Sequence, residues 1–334
     1  MSESIMVTQG SLDREAELDQ LESHVRDALR LAVEAGATEA EVSAQSSLGL
    51  SVNVRLGEVE TLEHMRDRGI SVSVMIGRRK GDASSADLRR ESLESCVRHA
   101  IDIARFTQED SSNGLADPDL LARNCPDLDL WHPEAIDAEA AIARAQRCEA
   151  AGRAVEGINN SEGASFNADL GLSVYGNTND FIGRKAGTSY GQSCVLLAGK
   201  GDSMQRDYSW DTRRCLDDLE DPERTGREAA RRTVRRVGAR RPQTAEVPVL
   251  FSSEVAKGII GHLIGAISGA ALYRNASFLR DSAGEQLFPD WLLGEHLGVV
   301  LSAGQRAMLD ETFALLADSA LAALAIVQMS CHTG

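Results

Sequence analysis

The residues best suited to metal binding are a glutamate and a histidine on one predicted helix. Glu254 and His262 are eight residues apart, which places them on one helix face but about 11 Å apart along its axis. Zinc–ligand bonds are about 2.0–2.2 Å long, so the two side chains cannot share one zinc ion. His262 is therefore predicted to be a core histidine, and metal binding is the alternative. The other nearby candidates are Glu285, Glu295 and His296.

Other catalytic signatures are missing from the sequence. It contains no HExxH, HxxEH, HxH, G-x-S-x-G or P-loop pattern. Cys194 lies in a predicted strand and has no histidine near it in sequence, so it is not predicted to be a nucleophile. The cysteines are scattered without a CxxC pair, which favours free thiols; they are Cys96, Cys125, Cys148, Cys194, Cys215 and Cys331. The residue chemistry alone reveals no active site.

The most distinctive stretch is 244–291, which surrounds these candidates. A short apolar strand at 247–251 precedes Ser252, a suitable helix cap. The charge-free run at 258–272 is shorter than the roughly 20 residues that span a bilayer, so a buried soluble helix is predicted. Glycines recur every fourth residue and form one row on that helix, which predicts close packing of another backbone; they are Gly261, Gly265 and Gly269.

Composition limits the class of protein. The 334 residues carry a formal net charge of −16, which argues against nucleic-acid binding and against anionic membrane surfaces. The N-terminus has no basic start followed by an apolar run, so no signal peptide is inferred and a cytoplasmic location is predicted. Aromatic residues make up only 4%, so the core must consist largely of Ala, Leu, Val and Ile.

Hydrophobic periodicity predicts an α+β fold with three domains. An N-terminal α+β domain at 1–110 combines amphipathic helices with strands that alternate apolar and polar residues. A central domain at 111–240 contains a helix, a Gly-rich antiparallel sheet and an Arg-rich helix. An incomplete C-terminal domain at 241–291 begins with a strand and a buried helix, and an atypical Ala/Leu-rich helical tail follows at 292–334. The predicted helices are 11–36, with Ser11 as its cap, 90–106, 136–156 and 222–238.

Two features of the central domain could contact a partner. Tyr190, Tyr208 and Trp210 cluster in the Gly-rich sheet, where they either contact a peptide or only pack. The predicted helix 222–238 and its flank carry eight arginines between 224 and 241. In a chain of net negative charge, these arginines favour a solvated face or an acidic protein partner over nucleic acid.

Several segments together resemble a known family. They are GATEAEVSAQ, RDRGISVSVMIGRRKGDASSADL, ARFTQEDSSNGLAD and, most strongly, PVLFSSEVAKGIIGHLIGAISGAALYRNASFLRDSAGEQLFPDW. The pattern is similar to that of the TldD/PmbA family of bacterial proteins, and within it to the PmbA branch, also called TldE. The resemblance runs from about residue 25 to residue 291.

The resemblance implies a share in a metallopeptidase. In this family, TldD and PmbA/TldE form a cytosolic heterodimer that degrades peptides, and TldD carries a zinc motif of the form HExxxH. At the motif positions this chain has Gly261 for the first His, His262 for the Glu and Ala266 for the second His. The resemblance therefore implies a chain without metal ligands or catalytic residues, paired with a TldD-like subunit that holds the zinc.

The family resemblance also stops early. Family members continue well past this point with most of a C-terminal sheet domain, whereas 292–334 resembles none of it. The hypothesis is a truncated or frameshifted gene after about residue 291, and reading the other two DNA frames tests it. Two functional alternatives stay open: a non-enzymatic binding or regulatory module acting alone or as a homodimer, and a self-sufficient peptidase with an unusual site.

Overall fold

The computed structural model describes residues 13–123, 125–245 and 251–282. Contacts divide the chain into two compact units, Met1–Arg240 and Arg241–Gly334. Helices and antiparallel strands both occur in the first unit, so the predicted α+β class is confirmed.

Strands and helices follow one another along the described part of the first unit. The strands are β1 (Glu39–Arg55), β2 (Glu58–Ile76), β3 (Arg79–Ser85), β4 (Ile158–Asn177), β5 (Phe181–Ala198) and β6 (Gln205–Arg213). The helices are α1 (Arg14–Glu34), α2 (Arg90–Phe106), α3 (Ala138–Arg153) and α4 (Pro222–Arg236). The four predicted helices thus begin and end close to the observed bounds.

All six strands form one antiparallel sheet in the order β3-β2-β1-β4-β5-β6. β1 and β4 join its two halves and pair from Glu41 opposite Asn177 to Val54 opposite Ala164. The sequence pattern predicts two separate sheets, because tight turns link the strands within each half. No local turn encodes the β1–β4 pairing, since α2, a long linker and α3 lie between these strands.

The helices cover one face of the sheet. Val25 of α1 and Val97 of α2 pack against Val42, Val72 and Val174 of the strands, and all five are almost fully buried. Burying one such side chain stabilises the fold by about 1.5–3 kcal/mol. Two further clusters lie under α3 and α4: one contains Ala145, Phe166 and Tyr190, and the other contains Leu196 and Ala229.

Helix α1 begins and ends with local backbone signals. The Asp13 side chain accepts a hydrogen bond from the Ala16 N–H at 3.1 Å, and an N-cap of this kind contributes about 1 kcal/mol. The predicted cap, Ser11, is therefore wrong, because the helix begins at Arg14 and Asp13 is the residue that caps it. Gly36 follows the helix with φ of +98°, a conformation that favours glycine after a helix C-terminus.

Helices α3 and α4 approach each other through glycines. A Cβ atom on Gly226 would lie 1.9 Å from the Cys148 carbonyl oxygen, and one on Gly152 would lie 2.7 Å from the Gly226 carbonyl oxygen. Neither position has room for a side chain. The two helices can therefore pack backbone to backbone, with α3 over β1 and β4 and α4 over β5 and β6.

The turn between β1 and β2 is held by a buried carboxylate from α3. Leu56 and Gly57 form the two-residue turn with φ of +53° and +86°, as hairpins of this length prefer. Glu149 is 1% exposed, and its two oxygens accept hydrogen bonds from the N–H groups of Leu56 and Gly57, each at 2.8 Å. The side chain therefore ties the hairpin to α3.

The described part of the second unit contains α5 (Ser253–Ala266) and α6 (Gly269–Tyr273). The sequence predicts one helix through residue 272, but Ser268 interrupts it and its Oγ accepts from the Ala271 N–H at 3.3 Å. Serine is a favoured N-cap residue, so the chain starts a new helix here. Most of the predicted strand at 247–251 and the whole tail at 292–334 lie outside the described residues.

Two further findings concern helix length and thiols. Among the described residues, every helix is too short or too polar to cross a bilayer. The five cysteines in that part of the chain have free thiols. Cys148 and Cys194 are fully buried, and the contact between them, together with burial, raises the pKa of the Cys194 thiol.

Candidate functional site

The helix that carries the degenerate motif positions is α5. Its buried residues include Ala256 and Leu263, seven positions apart and therefore on one face. His262 is exposed, so the prediction of a core histidine is wrong. The side chain precedes Leu263 by one residue and points about 100° away from that buried face.

Close packing of another backbone against the glycines of α5 and α6 stays a prediction. A Cβ atom on Gly261, Gly265 or Gly269 would meet no atom within 4 Å. Gly261 and Gly265 lie on α5, whereas Gly269 is the first residue of α6. The three glycines are therefore not one row on a single continuous helix.

The donor atoms at the motif positions do not fit a zinc ion. Gly261 and Ala266 have no donor side chain, and the His262 imidazole alone is one ligand where zinc enzymes use about three. No group of three or more His, Cys, Asp or Glu residues that could hold a metal occurs within 13–123, 125–245 or 251–282. No step of a reaction is therefore assigned to a metal on this chain.

The face of the sheet turned away from the helices is entirely small or polar at its centre. It comprises the odd-numbered residues at 45–53 of β1, 165–173 of β4 and 185–193 of β5, all half-buried or exposed. These positions hold only Gly, Ser, Asn, Gln, Asp and Lys. Polar groups are costly to bury without partners, so this face suits water or a polar ligand rather than a second apolar layer. We call it the polar face.

Hydrogen bonds cross the polar face between strands. Ser51 donates to Asn167 Oδ1 at 2.8 Å, and the hydroxyls of Ser165 and Ser193 are 2.8 Å apart. Hydroxyl and amide groups can both donate and accept, as the backbone of a bound peptide requires. The polar face therefore offers both donors and acceptors to a polar ligand.

Tyr190, one of the three predicted peptide-contact residues, lies on the other side of the sheet. It is 1% exposed, its hydroxyl donates to the His132 carbonyl oxygen at 2.8 Å, and the hydroxyl accepts from the Glu134 N–H at 2.9 Å. Burial raises the pKa of the Tyr190 hydroxyl. Tyr190 fixes the linker against β5 and presents no surface to a peptide.

The other two predicted aromatic residues are exposed. Tyr208 and Trp210 are 47% and 53% exposed and lie two residues apart on β6, opposite Val195 and Ser193 of β5. Side chains two residues apart share a face of a strand. Ser193, the partner of Trp210, belongs to the polar face, and Val195 continues the same side of β5 just beyond it. They form an aromatic rim at the β6 edge of the polar face.

A cleft of about 370 Å³ opens on the polar face. Its floor is the cross-strand pair Gly171 and Gly187; Gly171 is open, whereas Leu130 and Arg214 lie against Gly187. Asp169 lies to one side of the floor on β4, and Lys185 lies to the other side on β5. Arg214, which follows β6, completes the charged lining.

The charged side chains of the cleft lie on different strands. A Cβ atom on Gly187 would be 3.7 Å from Arg214 Nη1, and this nitrogen donates to the Thr188 carbonyl oxygen at 3.0 Å. A Cβ atom on Gly49 would be 2.9 Å from Asp169 Oδ1, so the carboxyl group extends over β1. Desolvation there raises the pKa of Asp169. The cations line the β5 side, and the carboxyl group lines the β1 side.

Five of the six arginines within α4 pair with carboxylates, as expected for the predicted solvated face. Glu228 accepts from Arg231 at 2.7 Å and from Arg232 at 2.8 Å, and these hydrogen bonds hold its pKa at about 2. Arg227 pairs with Glu223 at 3.1 Å. Such pairs neutralise much of the positive charge that suggested nucleic acid.

Three domain models of one family match the chain. They are described as PmbA/TldA metallopeptidase domain 1, at residues 40–104, central domain, at 131–237, and C-terminal domain, at 244–293. Together these matches take up well over half of the chain. The chain therefore belongs to the PmbA/TldD metallopeptidase family. Helices α3 and α4 lie within the matched central domain, and α5 lies within the matched C-terminal domain.

Similar proteins agree with this membership. The Metalloprotease PmbA of Escherichia coli O157:H7 is 42% identical over 285 residues, which cover 84% of this chain and 63% of that protein. The Metalloprotease PmbA homolog of Haemophilus influenzae is 41% identical and is covered to 61% of its length. The chain thus spans just over three fifths of the length of each of these two relatives.

A solved structure shares the fold. The structure of a putative modulator of DNA gyrase from Bacteroides thetaiotaomicron has a TM-score of 0.75 at 24% identity and covers 81% of this chain and 62% of its own. The two proteins therefore have similar folds despite their low sequence identity. At this identity it concerns the fold alone.

Proposed function

We propose that this chain is a PmbA/TldE-type subunit of a cytosolic TldD/TldE metallopeptidase complex and that it binds peptide without supplying metal or catalytic groups. The observation that carries the proposal is the polar face. It offers donors and acceptors across three long strands and suits an extended peptide better than a protein core. Family membership supports the link to peptide hydrolysis.

The degenerate motif positions support a non-catalytic role. A zinc peptidase needs about three protein ligands and an activated water, whereas Gly261 and Ala266 offer no donor atom. The zinc would then reside in a TldD-like partner. A structure titled as TldE from Thermococcus kodakarensis shares the fold, with a TM-score of 0.63 at 18% identity, and covers 79% of this chain and 59% of its own.

The test is hydrolysis of a quenched fluorescent peptide by this chain alone, by a zinc-loaded TldD-type protein alone and by the two mixed. We expect activity only in the mixture and loss of that activity with a zinc chelator. Activity of this chain alone would refute the non-catalytic role. Silence of the mixture, with a partner that works beside an intact PmbA-type subunit, would favour a binding or regulatory module acting alone or as a homodimer.

Substitution of the aromatic rim separates peptide binding from assembly. Tyr208→Ala and Trp210→Ala should raise KM for the peptide in the mixture and leave co-elution with the partner unchanged, because aromatic side chains contribute contact area at low entropic cost. Phe106→Ala is the matched control, since Phe106 is 91% exposed at the end of α2. Equal KM values for all of these variants would exclude the rim from peptide contact.

A further inference from the structure

The cleft on the polar face contains two cations whose charge no carboxylate in the described residues pairs. Lys185 and Arg214 form no salt bridge in that part of the chain, and Arg214 donates only to a backbone carbonyl, that of Thr188. The neighbouring Arg184 instead binds Glu22 at 2.6 Å and Asp19 at 2.8 Å. The chain as a whole has a net charge of −16, so two cations without a carboxylate partner in one cleft form a local site of positive charge.

The cleft floor lets a ligand reach these cations. Gly171 and Gly187 face each other across β4 and β5. A Cβ atom on Gly171 would meet only the Gly187 carbonyl oxygen, at 4.0 Å, whereas one on Gly187 would lie 3.7 Å from Arg214 Nη1 and 3.8 Å from Leu130 Cβ. The open part of the floor is therefore at Gly171. Lys185 is two residues from Gly187 on β5, a distance of about 7 Å along the same face. A small anionic group lying above Gly171, beside Gly187, can thus contact the guanidinium and the ammonium together.

The acidic residue of the cleft does not occupy this position. The Asp169 carboxyl group lies beside Gly49 of β1, whereas Lys185 and Arg214 line the opposite side, at β5 and beyond β6. Asp169 is paired in register with Ser189 rather than with Lys185, which lies opposite Ser173. The cations therefore keep unused donors for a ligand.

We propose that Lys185 and Arg214 form a carboxylate-binding subsite that anchors one end of a bound peptide on the polar face. The inference rests on the proposed peptide-binding function and adds which part of the peptide the chain recognises. A carboxylate is the anion that peptides carry, either at the C-terminus or on an acidic side chain. Hydrogen bonds between ionised partners are shorter and stronger than neutral ones, which makes the anchor selective.

The experiment measures fluorescence anisotropy of N-terminally labelled hexapeptides of Gly, Ala and Ser with the full chain. One peptide ends in a free carboxylate and its twin ends in an amide; a third is amidated and has Glu as its last residue. We expect the free acid to bind about 10-fold more tightly than the amide. Tight binding of the third peptide would support the subsite with a side chain as the carboxylate source.

Variants assign the preference to the cleft. Lys185→Met should reduce the acid-to-amide ratio several-fold, Lys185→Met combined with Arg214→Gln should abolish it, and Lys185→Glu should favour the amide. The Lys185 side chain forms no hydrogen bond in the described residues, so its substitution should leave the urea midpoint unchanged. Lys200→Met, which removes an equal charge from an exposed turn, should keep the ratio of the native chain.

The outcomes distinguish this inference from the function on which it rests. Equal binding of acid and amide, or an unchanged ratio in the double variant, would overturn the subsite even if the mixture with a TldD-type partner hydrolyses both peptides. Failure of every peptide to bind, together with silence of that mixture, would overturn the proposed function and the subsite alike.

Discussion

Glu149 shows how one residue can hold two elements together. It is a buried carboxylate that satisfies two backbone N–H groups of the β1–β2 turn. We expect Glu149→Ala to lower the free energy of unfolding by about 2–3 kcal/mol, because two donors lose a charged acceptor. Glu149→Gln should cost less, since one oxygen remains to accept. Urea unfolding measures both.

A matched control for this residue is available nearby. Glu156 is exposed and forms no hydrogen bond in the described residues, so Glu156→Gln should change stability by less than about 0.5 kcal/mol. Equal stability of Glu149→Ala and Glu156→Gln would show that the turn does not depend on the carboxylate.

The lowered pKa of the Glu228 carboxyl group predicts that the stability of the fold depends on pH through this side chain. Arg231 and Arg232 hold its pKa at about 2, below its ordinary value of 4.5. The unfolded chain therefore binds the proton more readily, so the stabilisation is complete above pH 4.5 and disappears as the pH falls towards 2. We expect Glu228→Gln to cost about 1 kcal/mol at pH 7, since these ion pairs are partly exposed, and less at pH 3.

Unfolding in urea at several pH values measures this difference. Glu58→Gln is the control, because Glu58 is exposed and forms no ion pair in the described residues; its effect should be small throughout. A penalty for Glu228→Gln that stays constant from pH 7 to pH 3 would contradict the predicted titration.

At the scale of elements, the α3–α4 contact depends on a residue without a side chain. Gly226→Ala places a Cβ atom 1.9 Å from a backbone oxygen, that of Cys148, and the two helices must separate. Alanine gains about 1 kcal/mol of helix propensity, but overpacking of this kind costs about 1–3 kcal/mol and more when backbone must move. We expect a net loss of at least about 1 kcal/mol in urea unfolding.

The control for this substitution is a helical glycine with open space. A Cβ atom on Gly258 meets nothing within 4 Å, so Gly258→Ala should not lower the unfolding midpoint. A higher midpoint for Gly226→Ala would mean that the helices can separate freely and that the close approach carries no stability.

The elements show which kinds of information the sequence holds. Hydrophobic periodicity locates α1 to α4 well, because it is a local signal, whereas the cap of α1 is Asp13 and not the predicted Ser11. Local sequence patterns do not predict the β1–β4 pairing, since it joins two strands that are distant in sequence. The prediction that Tyr190 contacts a peptide is wrong, because a cluster of aromatic residues does not reveal which side of the strand each one faces. Tyr190 shares the buried side of β5 with Cys194, four residues away.

The site was only partly predictable for the same reason. Tyr208 and Trp210 are exposed as peptide contact requires, and their contact with peptide stays a prediction. The sequence does not single out Lys185 and Arg214, because they resemble ordinary surface residues. Only the fold shows that they lie beside the Gly171–Gly187 floor. The run of Gly and Ser at alternate positions was the available signal for the polar face.

At the scale of the whole molecule, the first unit contains its own cores. The three clusters of buried residues lie within it, so a chain of residues 1–240 should fold alone. We expect its far-UV circular dichroism to show helix and strand and its urea midpoint to match that of the corresponding transition in the full chain. A midpoint lower by more than about 1 M would show that the first unit depends on residues after Arg240.

The single sheet has a consequence for how such proteins can change in evolution. The matched domains at 40–104 and 131–237 are separate in sequence, yet β1 of the first is hydrogen-bonded along its length to β4 of the second. Recombination that exchanged one of them alone would have to supply a strand edge of matching length and register. Gene fusion and domain shuffling should therefore carry the two as an inseparable pair.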